Sequence, residues 1–258
     1  MNNRITLIFN VLTTAWLGAL AAQLFHEACH GIAAVLVGAE WQAFNLFAAL
    51  WDWPGASNEI GTLTIEGSPA LLNILTGFLA VGLFGRTMKQ KRAMPALFWM
   101  YFAGYSLFMG FGYLFVDPLF YQPGGEQLGD WRKVIDALGG SWAVRIPILL
   151  VGASGVLWSF FWLARSTLRF VADATDKAER VRVSLPIMLV PYFAINILFT
   201  ILAFWHPLGG QGMFIVAFQY WFGYVGFFWA FFLAAYWLDV NSPLPDPVAL
   251  PDQPQPVW

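Results

Sequence analysis

The stretch Ile5–Val37 reads ITLIFNVLTTAWLGALAAQLFHEACHGIAAVLV. It contains no Lys, Arg or Asp, and besides Cys29 its only ionisable side chains are His26, Glu27 and His30. About 20 apolar residues suffice for a helix to cross the hydrocarbon core of a bilayer. This run is longer, so the helix must tilt or project beyond the hydrocarbon. Five further apolar stretches follow: Pro69–Gly85, Pro95–Val116, Ala143–Ala164, Leu185–Trp205 and Met213–Leu238. The expected fold is an all-α polytopic membrane protein with about six transmembrane helices.

Composition supports that class. Of 258 residues, 59% are hydrophobic and 11% charged, against about 25% charged in soluble domains. An ordinary soluble enzyme could not bury so much apolar surface. A net charge of −2 leaves no basic face for nucleic acid, and the low charge content argues against disorder. The single Cys excludes an intramolecular disulfide.

The basic residues give an orientation. Arg4, then Arg86, Lys89, Lys91 and Arg92, then Arg165, Arg169, Lys177, Arg180 and Arg182 fall on one side of the expected spans. Arg132, Lys133 and Arg145 fall on the other. The positive-inside rule therefore sets both termini in the cytoplasm. Ala19-Leu20-Ala21 after Arg4 has the small residues of a signal-peptide cleavage site, but the apolar run continues unbroken past it to His26. The segment is read as a retained helix, and a bacterial inner (cytoplasmic) membrane is the expected location. One integral domain, 1–240, precedes a tail, 241–258, whose Pro243, Pro245, Pro247, Pro251, Pro254 and Pro256 predict an extended, disordered end.

Between the first two spans, Trp41, Phe44, Leu46 and Phe47, then Gly61-Thr62-Leu63-Thr64-Ile65, predict a small β-hairpin, with Trp53-Pro54-Gly55 in its turn region. Ser68 and Pro69 have the residue types of a helix N-cap and first helical position.

His26-Glu27-Ala28-Cys29-His30 fits H-E-x-x-H. Residues four apart share a helix face, so both imidazoles reach one ion, and Glu27 lies about 100° around the helix, near a water on that ion. Two His and a Glu are costly in an apolar helix unless they face a polar or metal-filled interior. Two His leave catalytic zinc one protein ligand short. Asp130, Asp117 and His206 are the candidates for the third.

The chain here resembles the site-2-type intramembrane zinc metalloproteases, peptidase family M50. His26-Glu27-Ala28-Cys29-His30-Gly31 with Ala34 is similar to the family's first motif. Gly67-Ser68-Pro69-Ala70-Leu71-Leu72-Asn73 resembles its Gly-Pro-x-x-Asn motif, with Ser68 inserted, and Gly129-Asp130-Trp131 resembles the Gly-Asp-Trp of the M50B-like branch. The resemblance covers roughly the first half of the chain. It implies zinc held by His26, His30 and Asp130, and Glu27 as the catalytic base. It also implies that Asn73 hydrogen-bonds near substrate or oxyanion, a helix-packing bond being the alternative. Hydrolysis of peptide bonds in or beside the bilayer is the implied activity, with membrane proteins as substrates. An inactive structural or assembly subunit and a zinc-dependent lipid-amide hydrolase are the alternatives.

Overall fold

The computed structural model describes residues 3–44, 46, 48–124, 129–171 and 177–204. In chain order these form α1 (Asn3–Leu36), β1 (Glu40–Phe44), β2 (Ala49–Asp52), α2 (Glu59–Lys89), α3 (Ala93–Phe120), α4 (Asp130–Ala137), α5 (Trp142–Leu168), a short 3-10 turn (Arg169–Val171) and α6 (Lys177–Phe204). The protein is mostly helical. Among the described residues, four helical segments are long and apolar enough to cross a membrane: Ile5–Leu36, Glu59–Lys89, Ala93–Phe120 and Trp142–Val171. The sixth expected span, Met213–Leu238, and the Pro-rich tail lie outside the described residues, as do Phe47 and His206. The fifth, Leu185–Trp205, is helical as far as Phe204 within α6, but α6 is not among the four.

Side-chain size is sorted in the sense expected for lipid surroundings. Ala15, Ala19, Ala22, Ala33 and Ala34 of α1 are buried, while Phe9, Leu17, Leu24, Val35 and Leu36 are exposed. On α2 and α5, Leu71, Leu75, Leu79, Leu150 and Val151 also face outward. Water would penalise so much exposed apolar area. In a bilayer lipid covers it, and small residues inside let helix backbones approach closely.

The chain divides into two compact units. Of the described residues, one comprises 3–17, 87–100, 160–171 and 177–204. In it Arg92 N–H donates to the Thr87 carbonyl (3.1 Å), closing the turn from α2 to α3. Lys91 takes the left-handed conformation there (φ 58°).

The other unit, 18–86 and 101–159, carries the hairpin, α4 and every motif described above. Helices α2 and α3 meet at Gly110, where a Cβ would stand 2.6 Å from the Ala70 carbonyl oxygen. Strands β1 and β2 pair antiparallel, Glu40 with Asp52 and Phe44 with Ala49, with an irregularity between Trp41 and Ala43. The Trp41 ring fills the space a side chain on Gly31 would need, which seats the hairpin on α1 next to His30.

Two expectations are corrected. Gly61–Ile65 is helix, not strand, and β2 lies earlier, at Ala49–Asp52, so Trp53-Pro54-Gly55 follows the hairpin rather than forming its turn. Asn58 overrides the strand-like pattern as a helix cap: its Oδ1 accepts from Gly61 N–H (3.1 Å) and its carbonyl from Thr62 N–H (2.8 Å). Hence α2 begins at Glu59, and Pro69 lies inside it rather than at its first position.

Candidate metal centre

His26 and His30 sit one turn apart on α1, their ring centroids 5.2 Å apart and their planes at 80°. His26 Nε2 lies 3.1 Å and His30 Nε2 3.3 Å from the same oxygen, Asp130 Oδ2. Both imidazoles are buried, and Asp130 is half-buried. These three residues offer ligand atoms within 4.8 Å of one another and could hold a metal ion.

The opposite ring nitrogens are engaged too. His30 Nδ1 is 2.9 Å from the Ile65 carbonyl oxygen. A carbonyl only accepts, so the proton is on Nδ1 and the neutral ring has its Nε2 lone pair towards Asp130. A lone pair facing a carboxylate oxygen calls for positive charge between them, from a proton or a metal. His26 Nδ1 is 3.1 Å from the Asn73 amide nitrogen, and the His26 ring stacks on Tyr113 (centroids 5.2 Å, planes at 11°). Burial pushes the Asp130 carboxyl upward, but hydrogen bonds to His26 and His30, and their charge, outweigh it and hold it well below the usual carboxylate range.

Glu27 is buried beside the pair. Gln23, one turn earlier, donates from Nε2 to Glu27 Oε1 (2.9 Å), and the Ala49 backbone N–H at the start of β2 hydrogen-bonds the same carboxylate.

Asp130 opens α4, an eight-residue helix. Its N-cap, Gly129, makes no side-chain cap bond. Asp117, from α3, substitutes: its Oδ2 accepts from Trp131 N–H (3.0 Å). A Cβ on Gly129 would stand 2.6 Å from Asp117 Oδ1, so the carboxylate occupies the space that glycine leaves. Arg132 Nε is 3.4 Å from that Oδ1, an ion-pair contact without hydrogen-bond geometry. Further along, Lys133 Nζ donates to Glu66 Oε1 on α2 (2.5 Å), and Tyr121 OH donates to Asp136 Oδ1 (2.6 Å). Buried Val134 and Ile135 supply the apolar anchor. Asp117 is thus outside the three-residue cluster and fixes the helix that carries Asp130.

His26, Glu27, His30, Asn73 and Asp130, which stand out in the sequence, lie together in the structure. Gln23, Tyr113, Glu66 and Lys133 also belong to the site, and no motif marks them as site residues, Lys133 counting in the sequence only towards orientation. Gln23 carried a signal, a polar residue four before Glu27 in an apolar helix. Glu66 carried one only if α2 is started at Glu59. Tyr113 carried none, being one aromatic among many.

No protein-family model, curated protein or solved structure matches the chain.

Proposed function

We propose that the protein is an intramembrane zinc metalloprotease, with His26, His30 and Asp130 holding the ion and Glu27 as general base. The observation that carries the reading is the convergence of two Nε2 atoms on one carboxylate oxygen in a buried site, with a second carboxylate adjacent. The donor set suits the ion. Zinc takes imidazole nitrogen and carboxylate oxygen as ligands, and the three donor atoms here lie within 4.8 Å of one another. Two imidazoles and a carboxylate leave a fourth position open. Bound zinc supplies Lewis acidity, acidifying a water and polarising a peptide carbonyl.

Glu27 takes the proton of the attacking water and returns it to the leaving amine. Gln23 holds one oxygen of that carboxylate in a fixed rotamer. The hairpin next to Glu27 presents an edge to which an unwound substrate segment can add as a strand. A scissile helix must open locally to expose its carbonyl, so membrane proteins with helix-breaking residues are the expected substrates. Six spans, cytoplasmic termini and a bacterial inner membrane complete the reading.

The test is Glu27→Gln. Purified protein keeps its zinc, while a membrane-proteome comparison with wild type shows uncleaved substrates accumulating. An unchanged proteome, where deletion of the chain has a phenotype, would favour a non-catalytic assembly role. Absence of metal from the intact protein would sink both hydrolytic readings.

A further inference from the structure

Helix α2 brings two groups, the Ile65 carbonyl and the Asn73 amide, to the two histidines, and Pro69 lies one turn from each. Ile65 accepts from His30 Nδ1–H through its carbonyl (2.9 Å). In an unbroken helix that carbonyl bonds the N–H four residues on. The residue there is Pro69, inside α2, which has no N–H. The proline therefore leaves the Ile65 carbonyl free for the imidazole.

One turn further, the fully buried Asn73 meets His26. With Nδ2 placed 3.1 Å from His26 Nδ1, the Asn73 amide donates to a ring whose proton is on Nε2 and points to Asp130. This leaves Asn73 Oδ1 buried without a hydrogen-bond partner. A half-turn of the amide, which has nearly the same shape either way, presents Oδ1 to Nδ1–H instead. The stranded oxygen is then satisfied, and His26 Nε2 is left with a lone pair for a metal. An amide serves both tautomers, whereas an apolar side chain serves neither.

We infer that Pro69 and Asn73 are positioning residues for the metal ligands. Pro69 frees the Ile65 carbonyl to fix the tautomer of His30, and the Asn73 amide turns over to fix that of His26 as the ion loads. This rests on the metal-binding reading of His26, His30 and Asp130. It assigns Asn73 to the ligand shell rather than to substrate.

The test measures zinc and cobalt dissociation constants of the detergent-purified full chain by chelator competition. Groups that orient ligand imidazoles typically govern about 10–100-fold of metal affinity. Asn73→Leu should weaken binding by that range, and Pro69→Ala, which returns a competing N–H to Ile65, by its lower end. Asn73→Asp keeps an acceptor for Nδ1–H and should bind at least as tightly as wild type. In ¹⁵N imidazole spectra of wild type, with only three His to assign, zinc should convert His26 to the Nδ1–H form. Should the Leu variant not fold, the metal-free wild-type spectrum still decides, because any neutral imidazole bound to zinc through Nε2 carries Nδ1–H: a His26 already in the Nδ1–H form before zinc is added leaves the Asn73 amide nothing to turn over and overturns the inference. Unchanged affinities in folded Asn73→Leu and Pro69→Ala, with slower cleavage, also overturn it and return Asn73 to a substrate role. A wild type that binds no metal overturns the metal reading itself, a different result from unchanged affinities in a metal-binding background.

Discussion

The two sides of the cluster are built differently. His26 and His30 belong to α1, a 34-residue helix, and their juxtaposition follows from helical spacing alone. Asp130 belongs to α4, eight residues long, too short to be stable by itself. Its place depends on Asp117 at the start of the helix, Lys133 with Glu66 in the middle, and Tyr121 with Asp136 near the end. One side is set by local geometry and the other by tertiary ties. On the proposed metal reading, damage to the first removes ligands, whereas damage to the second displaces one.

The largest effect expected is from His26→Ala or His30→Ala. Either should reduce bound metal from about one ion per chain to none, measured by elemental analysis, with the helical circular-dichroism signal preserved. Gly129→Ala comes next. Its Cβ would stand 2.6 Å from Asp117 Oδ1, and overpacking of this kind costs about 1–3 kcal/mol. It should lower both the melting temperature and metal affinity, because the displaced segment begins at Asp130. If Gly129→Ala lowered stability without touching metal affinity, the α4 side would be independent of its ties and the comparison would fail.

Asp117→Ala removes the capping acceptor for Trp131 N–H, worth about 0.5–2 kcal/mol. Partial retention of metal is expected, since both histidines remain. Asp117→Asn, which keeps an acceptor oxygen, should recover most of the loss; complete loss of metal in that variant would instead mark Asp117 as a ligand. Lys133→Met is the smallest. The lysine side chain is 45% exposed and Glu66 only 5%, so solvent screening keeps the pair's own attraction to about 1 kcal/mol or less, and the buried carboxylate left without its partner takes up a proton rather than stay charged. A double-mutant cycle with Glu66→Gln measures that coupling.

The same contrast explains what the sequence made legible. His26, Glu27 and His30 could be read because helix periodicity alone sets them on α1. Asp130 was reached through its resemblance to a motif, since no local pattern says that a residue 104 positions from His26 meets it. Gly61–Ile65 alternates like a strand, and the cap at Asn58 that makes it helix lies outside the alternating segment. In the sequence Pro69 reads as a helix start because proline is favoured there. Only the tertiary contact from His30 shows a use for it in a helix interior. Asn73 stood out as an amide in an apolar helix, and its partner belongs to another helix.

The fit of the Asp117 carboxylate into the space at Gly129 has an evolutionary consequence. Any side chain at 129 evicts the carboxylate, and loss of the carboxylate removes the cap that makes a bare glycine tolerable there. The two positions are therefore under joint selection. Among descendants of a common ancestor they should change together or not at all, as residues in direct spatial contact tend to do. Asp130 inherits that constraint from its neighbours, in addition to any that its own chemistry imposes.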